Sequence, residues 1–138
     1  DSNVAADFVK TLKKEHILGD GPPGTGCPVI ASVSGSDRVL IVTEPTVSGV
    51  HDMERVLSLT KHFGIPALIV INKADLNVEQ AERIESIATD NGSRVIARIP
   101  FDRNVNDALM EGKTVIEYGK GPAVEAMCNI WNTIKAEI

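Results

Sequence analysis

The chain has 138 residues, 43% apolar and 24% charged, with a net charge of −5. That length predicts one domain over residues 1–138 with a continuous core, and the composition argues against disorder. The longest apolar run, Ala67 to Ile71, is too short to cross a bilayer, and the acidic balance without a basic block argues against nucleic-acid binding.

No basic-then-apolar leader opens the sequence, and Cys27 and Cys128 form neither a disulfide framework nor a metal knuckle, so the cytoplasm is the expected compartment. From the N-terminus, Val4, Ala5, Phe8, Val9 and Leu12 recur at helical spacing and predict a helix over 2–15, capped by Ser2. A short strand is expected at His16–Leu18. It delivers Asp20 into Gly21-Pro22-Pro23-Gly24-Thr25-Gly26, a turn rich in glycine and stiffened by proline. A carboxylate followed by such a loop suits a site where magnesium and phosphate meet, because glycines let backbone N–H groups approach an anion. The same pattern also serves as a tight turn.

Pro28 opens a short helix to Ser34. Arg38–Thr43 reads as a strand buried on both faces of a parallel sheet, stopped by Glu44-Pro45. Ser48 is placed to cap a helix over Gly49–Phe63. Strand Ala67–Ile71 follows and runs directly into Asn72-Lys73-Ala74-Asp75. Asn77 and Gln80 resemble a capping box for a helix with Ala81, Ile84, Ile87 and Ala88 inward. A further strand spans Arg94–Ile99, with Pro100-Phe101-Asp102 as its exit. Then come a helix over Asn104–Glu111, an extended piece over Thr114–Tyr118, and a last helix after Gly121-Pro122 with Val124, Met127, Trp131 and Ile134 on one stripe. Alternating strands and helices imply right-handed βαβ units, and the carboxyl ends of such strands carry ligands. Asp20, Glu44, Asn72 to Asp75 and Pro100 to Asp102 all stand there, which points to a nucleotide.

Taken together, Asp20-Gly21-Pro22-Pro23-Gly24-Thr25-Gly26-Cys27-Pro28-Val29, Ile41-Val42-Thr43-Glu44-Pro45-Thr46 and Val70-Ile71-Asn72-Lys73 resemble the MinD/Mrp family of P-loop ATPases, in the branch with an inserted ferredoxin domain. The likeness covers nearly the whole chain and is to the C-terminal half of that family. No G-x-x-x-x-G-K-[ST] loop is present: Gly112-Lys113-Thr114 and Gly119-Lys120 both lack the upstream glycine. The resemblance implies an α/β three-layer fold, a parallel sheet flanked by helices, P-loop NTPase-like but without the Walker A strand and loop. Asp20 would be the Walker B carboxylate, holding Mg2+ through water, and the Gly24 N–H would meet the γ-phosphate. Asn72 would bond the base edge beside Lys73 and Asp75, and Pro100, Phe101 and Asp102 would close over the base of ATP.

The implied function is ATP binding and hydrolysis coupled to a switch between dimer states, in association with iron–sulfur proteins. The isolated chain, short of its phosphate-gripping lysine, is expected to be inactive. Its partners would be a second copy or a complementing N-terminal half, and an iron–sulfur protein. In the family's sheet the P-loop strand lies beside the strand matching Arg38–Thr43, so edges without partners are expected here. The alternative is a non-enzymatic interaction or dimerisation module that kept the fold and lost the P-loop. Three points stay open on the residues alone. Asn72-Lys73-Ala74-Asp75 also matches the guanine-reading motif of GTPases; Cys27 is either a reactive helix cap or a small turn residue; and Glu44 is either a site residue or a solvated strand end. Cys128, Met53 and Met127 are expected in the core. A phosphoacceptor using Asp20 and Lys73 is excluded, since Val4–Val9 supplies no acidic pair.

Overall fold

A computed structural model describes residues 16–24 and 26–138; the helix expected over 2–15 lies outside them. Three strands, β1 (Val39–Thr43), β2 (Ala67–Asn72) and β3 (Arg94–Ile99), form one sheet in the order β1-β2-β3. Both neighbouring pairs are parallel, in register Val39↔Ala67 through Thr43↔Ile71 and Leu68↔Arg94 through Asn72↔Ile99. The β1–β2 crossover is α2 (Val47–Phe63) and the β2–β3 crossover is α3 (Val78–Asp90). A short helix α1 (Cys27–Ser34) precedes β1, while α4 (Arg103–Met110), α5 (Val115–Tyr118) and α6 (Pro122–Glu137) follow β3. The parallel three-layer sandwich expected from the alternating pattern is the observed fold.

Apolar periodicity decides which face each element buries. On one face, Ile41, Ile69 and Ile71 pack with Val50, Met53 and Leu57 of α2 and with Ala81, Ile84 and Ala88 of α3. On the other, Val70 and Ile99 meet Val115 of α5 and Ala123 of α6, with Val124, Met127 and Ile130 against them. A register irregularity at Ile69/Val70 inserts Ile96 into β3, so that Val95 packs with the first cluster and Ile96 and Ala97 with the second. Met53 is therefore a core residue, as expected, whereas Met127 is half-buried against the second cluster.

Local chemistry moves several boundaries. Helix α2 is capped by Thr46, whose hydroxyl accepts from Gly49 N–H at 3.0 Å, so it starts before Ser48. At α3, Asn77 accepts from Gln80 N–H at 3.1 Å, but Gln80 Oε1 is buried without a partner, so the capping box is only half made. The complete box belongs to Thr114 and Glu117. It turns the stretch expected to be extended into α5.

Three further expectations fail. The strand at His16–Leu18 is not formed: residues 16–22 carry no regular structure, and Leu18 is 89% exposed. Two apolar residues before a glycine offer little to bury, and no described strand pairs with them. Burial on both faces holds for β2, where Ala67 to Ile71 are all buried, but not for β1. There Ile41 and Thr43 point into the core while Leu40 and Val42 are 37% and 60% exposed, because no described helix covers that side. On α6, the inward stripe runs through Ala123, Met127 and Ile130, which rotates Trp131 and Cys128 to the surface. Trp131 instead lies under the Lys135 ammonium, 5.8 Å from the ring centre.

Candidate functional site

Parallel strands with crossover helices leave their carboxyl ends together on one rim. Glu44 leaves β1 there, Asn72 to Asp75 leave β2, and Pro100 to Asp102 leave β3. Two side-chain contacts tie the three exits. The Lys73 ammonium stands 3.2 Å from Glu44 Oε1, spanning β1 and β2. The Phe101 backbone N–H donates to Asp75 Oδ1 at 2.8 Å, spanning β2 and β3. A backbone bond from Ala74 N–H to Ile99 O, 3.0 Å, runs beside the second.

Lys73 is the one non-glycine among the described residues in the left-handed region, at φ 50°. That conformation is uncommon outside glycine, asparagine and aspartate. Here the Asn72 side chain supports it, with Oδ1 accepting the Lys73 N–H at 3.0 Å. This bond fixes the Asn72 amide plane and leaves its Nδ2 as a donor. Both Lys73 and Glu44 are about half exposed, so their attraction is screened and counts for little in stability. Their effect is to place the lysine. Phe101 is 46% exposed and is an apolar residue at the rim.

Asp102 is buried, and its carboxylate serves two helices. Oδ1 accepts from Asn104 N–H at 2.9 Å, capping α4, and from Asn104 Nδ2 at 2.8 Å. Oδ2 accepts from Ala123 N–H at 3.1 Å, in the first turn of α6. Helix N-termini present N–H groups with a favourable dipole, so the charged form is preferred. The Ala123 N–H, then the Asn104 N–H, hold the carboxyl below its ordinary value of 3.8, with burial opposing. A carboxyl lowered in the folded state stabilises fully above its unfolded pKa and loses that contribution as pH falls through the folded value. The stability advantage of wild type over Asp102→Asn should therefore be flat near neutrality and shrink below about pH 4. Urea titrations at stepped pH measure it, and an advantage that ignores acid would assign the stabilisation elsewhere.

The structure thus assembles Asn72, Lys73, Asp75, Pro100, Phe101 and Asp102 on one rim and adds Glu44, whose role the sequence left open. The signal for Glu44 was its place at a strand exit beside proline. Asp20 and Gly24 are not joined to that rim by any hydrogen bond or ion pair among the described residues. A Cβ added at Gly19, Gly21 or Gly24 would meet nothing within 4 Å, so their loop stands in open surroundings. Gly24 has φ +92°, which glycine alone adopts without strain. Cys27, next to that loop, is exposed, as is Cys128. Among the described residues no group of three or more His, Cys, Asp or Glu could hold a metal, and no helix is long and apolar enough to cross a membrane.

No family model matches the chain. An uncharacterised protein of Methanocaldococcus jannaschii is 43% identical over 129 residues, covering 94% of this chain and 43% of that protein. An uncharacterised ATP-binding protein of the same organism is 27% identical over 84% of the chain and 44% of its own length. An iron–sulfur cluster carrier protein of Pyrococcus abyssi is 26% identical over 88% of the chain and 45% of its length. This chain therefore spans less than half of each relative. Among solved structures, the cell division ATPase MinD of Pyrococcus furiosus superposes with a TM-score of 0.81 at 22% identity, over 100% of this chain and 60% of that one. The septum site-determining protein MinD of Pyrococcus horikoshii, complexed with Mg-ADP, superposes at 0.81 with 20% identity, over 97% and 56%. The fold is that of the MinD-type P-loop ATPases.

Proposed function

We propose that this chain, carrying the MinD fold, is the base-binding and switch portion of a MinD/Mrp-like ATPase that works with iron–sulfur proteins. The observation that carries the reading is the rim itself: the exits of three parallel strands joined through the tetrad Asn72 to Asp75. Asn72 offers its free amide donor to the adenine edge, Lys73 and Asp75 flank it, and the Pro100–Asp102 loop with the Phe101 ring closes over the base. The ATP-binding and iron–sulfur carrier relatives support the nucleotide and the association.

Asp20 is the candidate for magnesium. A single carboxylate fits that cation when phosphates and waters supply the other oxygens, which is how magnesium is usually held. The cation would neutralise phosphate charge, while Asp20 orients it and the Gly24 N–H faces the γ-phosphate. Chemistry of this type depends on positioning and charge stabilisation. A phosphate-gripping lysine in a glycine loop has no counterpart in these 138 residues. Hydrolysis would therefore need a complementing N-terminal half, and a dimer of the completed unit is the expected switch, in the cytoplasm.

Titration of the 15N-labelled chain with millimolar ATP and magnesium tests this. Amide shifts concentrated at 72–75 and 100–102 are expected, with smaller ones at 20–24. Shifts scattered over α2 and α3 with the rim silent would dismiss it. A second reading, a non-enzymatic interaction module, draws on one observation: the exposed Leu40 and Val42 on β1, an apolar strand face without cover among the described residues. The same titration separates the two, since a pure interaction module shows no rim shifts at any ATP concentration.

A further inference from the structure

We propose that Asn91 is a site of spontaneous deamidation in the folded chain, through attack on its side-chain amide by the backbone nitrogen of Gly92. The inference is independent of the nucleotide reading above.

Asn91-Gly92 is the one Asn-Gly pair in the sequence. Glycine after asparagine matters because no side chain shields the backbone nitrogen or restricts the dihedral angles it can reach. The pair ends α3 in a tight turn. Asn91 is the C-cap, at φ −98° and ψ 9°, and Gly92 follows in the left-handed region at φ +72°. The Ser93 N–H bonds Ala88 O at 2.8 Å and the Gly92 N–H bonds Thr89 O at 3.1 Å, the two bonds of a Schellman closure. Asn91 and Gly92 are both exposed, and a Cβ built on Gly92 would meet nothing within 4 Å, so a cyclic imide has room to form.

Two hydrogen bonds oppose the attack, and both are easily released. Asn91 Nδ2 donates to Ile87 O at 2.8 Å, but Ile87 O also accepts the Asn91 backbone N–H at 3.1 Å. Freeing the side chain therefore orphans no acceptor, and water reaches the amide that leaves. The other bond, from Gly92 to Thr89, lies between exposed residues at a helix end, where water replaces a lost partner. Opening this turn costs far less than unfolding the sheet.

Hydroxide removes the Gly92 N–H proton, and the nitrogen forms a bond to Asn91 Cγ. The Cγ–Nδ2 bond breaks, and ammonia leaves with a proton taken from water. A second water opens the imide at either carbonyl, giving aspartate or isoaspartate. Each product places a new negative charge at the C-terminal end of α3 beside Asp90, where the helix dipole disfavours it. Isoaspartate also lengthens the main chain just before β3 begins at Arg94.

Incubation of the native chain in mildly alkaline buffer, followed by peptide mass mapping, tests this against a parallel sample in urea. The Asn91 peptide is expected to gain the mass difference between amide and acid and to split into aspartyl and isoaspartyl forms. Its conversion in the folded chain should be slower than in the unfolded chain by no more than about thirtyfold, because a single turn has to open. Asn91→Gln should abolish the mass gain, since its longer side chain closes a ring less readily. An Asn91 that stays intact in the folded chain while the unfolded sample converts fully would overturn the proposal. Conversion at Asn77 or Asn104 as fast as at Asn91 would overturn it too, because neither precedes a glycine.

Discussion

Calorimetry of the 138-residue chain with ATP and magnesium is expected to give a dissociation constant no tighter than about 1 mM, and no phosphate release over hours. Most of the binding energy for a triphosphate comes from groups that surround its charge, and a P-loop supplies them through backbone N–H groups and a lysine. The rim at the strand exits offers one amide donor, a flat ring and a lysine already paired with Glu44. Joining the chain to a segment bearing a Gly-Lys loop should bring the constant to about 1 μM, a difference of roughly 4 kcal/mol. Micromolar binding by the 138 residues alone would mean that the rim grips phosphate by means other than those proposed.

The second large effect is on stability. Gly121 has φ +99°, and a Cβ there would overlap Asp102 Oδ2 and come within 2.9 Å of Asp102 Cγ. Gly121→Ala is expected to strain the backbone by about 1–3 kcal/mol and to push the carboxylate away from Ala123 N–H, loosening the start of α6. Gly112→Ala is the control. Its φ is +68°, but a Cβ there meets nothing within 4 Å, so only the backbone part remains. Urea midpoints should fall clearly further for G121A than for G112A. Equal falls would show that the carboxylate gives way at little cost.

How far the sequence could be read depended on whether the deciding contact was local. Strands β2 and β3 and the helix between them were legible, since a five-residue apolar run and a 3.6-residue repeat each specify their own burial. The rim positions after β2 and β3 followed from the parallel topology. The bonds from Phe101 to Asp75 and from Ala123 to Asp102 did not, because in each the donor lies more than twenty residues away at a position that depends on the whole fold. Local reading also failed at α5, where Thr114 and Glu117 close a box inside a β-branched stretch, and on α6, where small residues at Ala123 and Ala126 rotate the buried stripe away from Trp131. The short strand before Asp20 had too little apolar surface to form without a partner, and β1 looked fully buried only because its composition cannot say which neighbours are present.

The side of β1 that no described residue covers bears on how this polypeptide behaves in a tube. Leu40 and Val42, with the strand's own N–H and C=O groups alongside, form a template that a like molecule can extend. Repulsion from a net charge of −5 slows such encounters at low ionic strength and weakens as salt rises. Concentrated, salty stocks should therefore turn cloudy sooner than dilute, salt-poor ones.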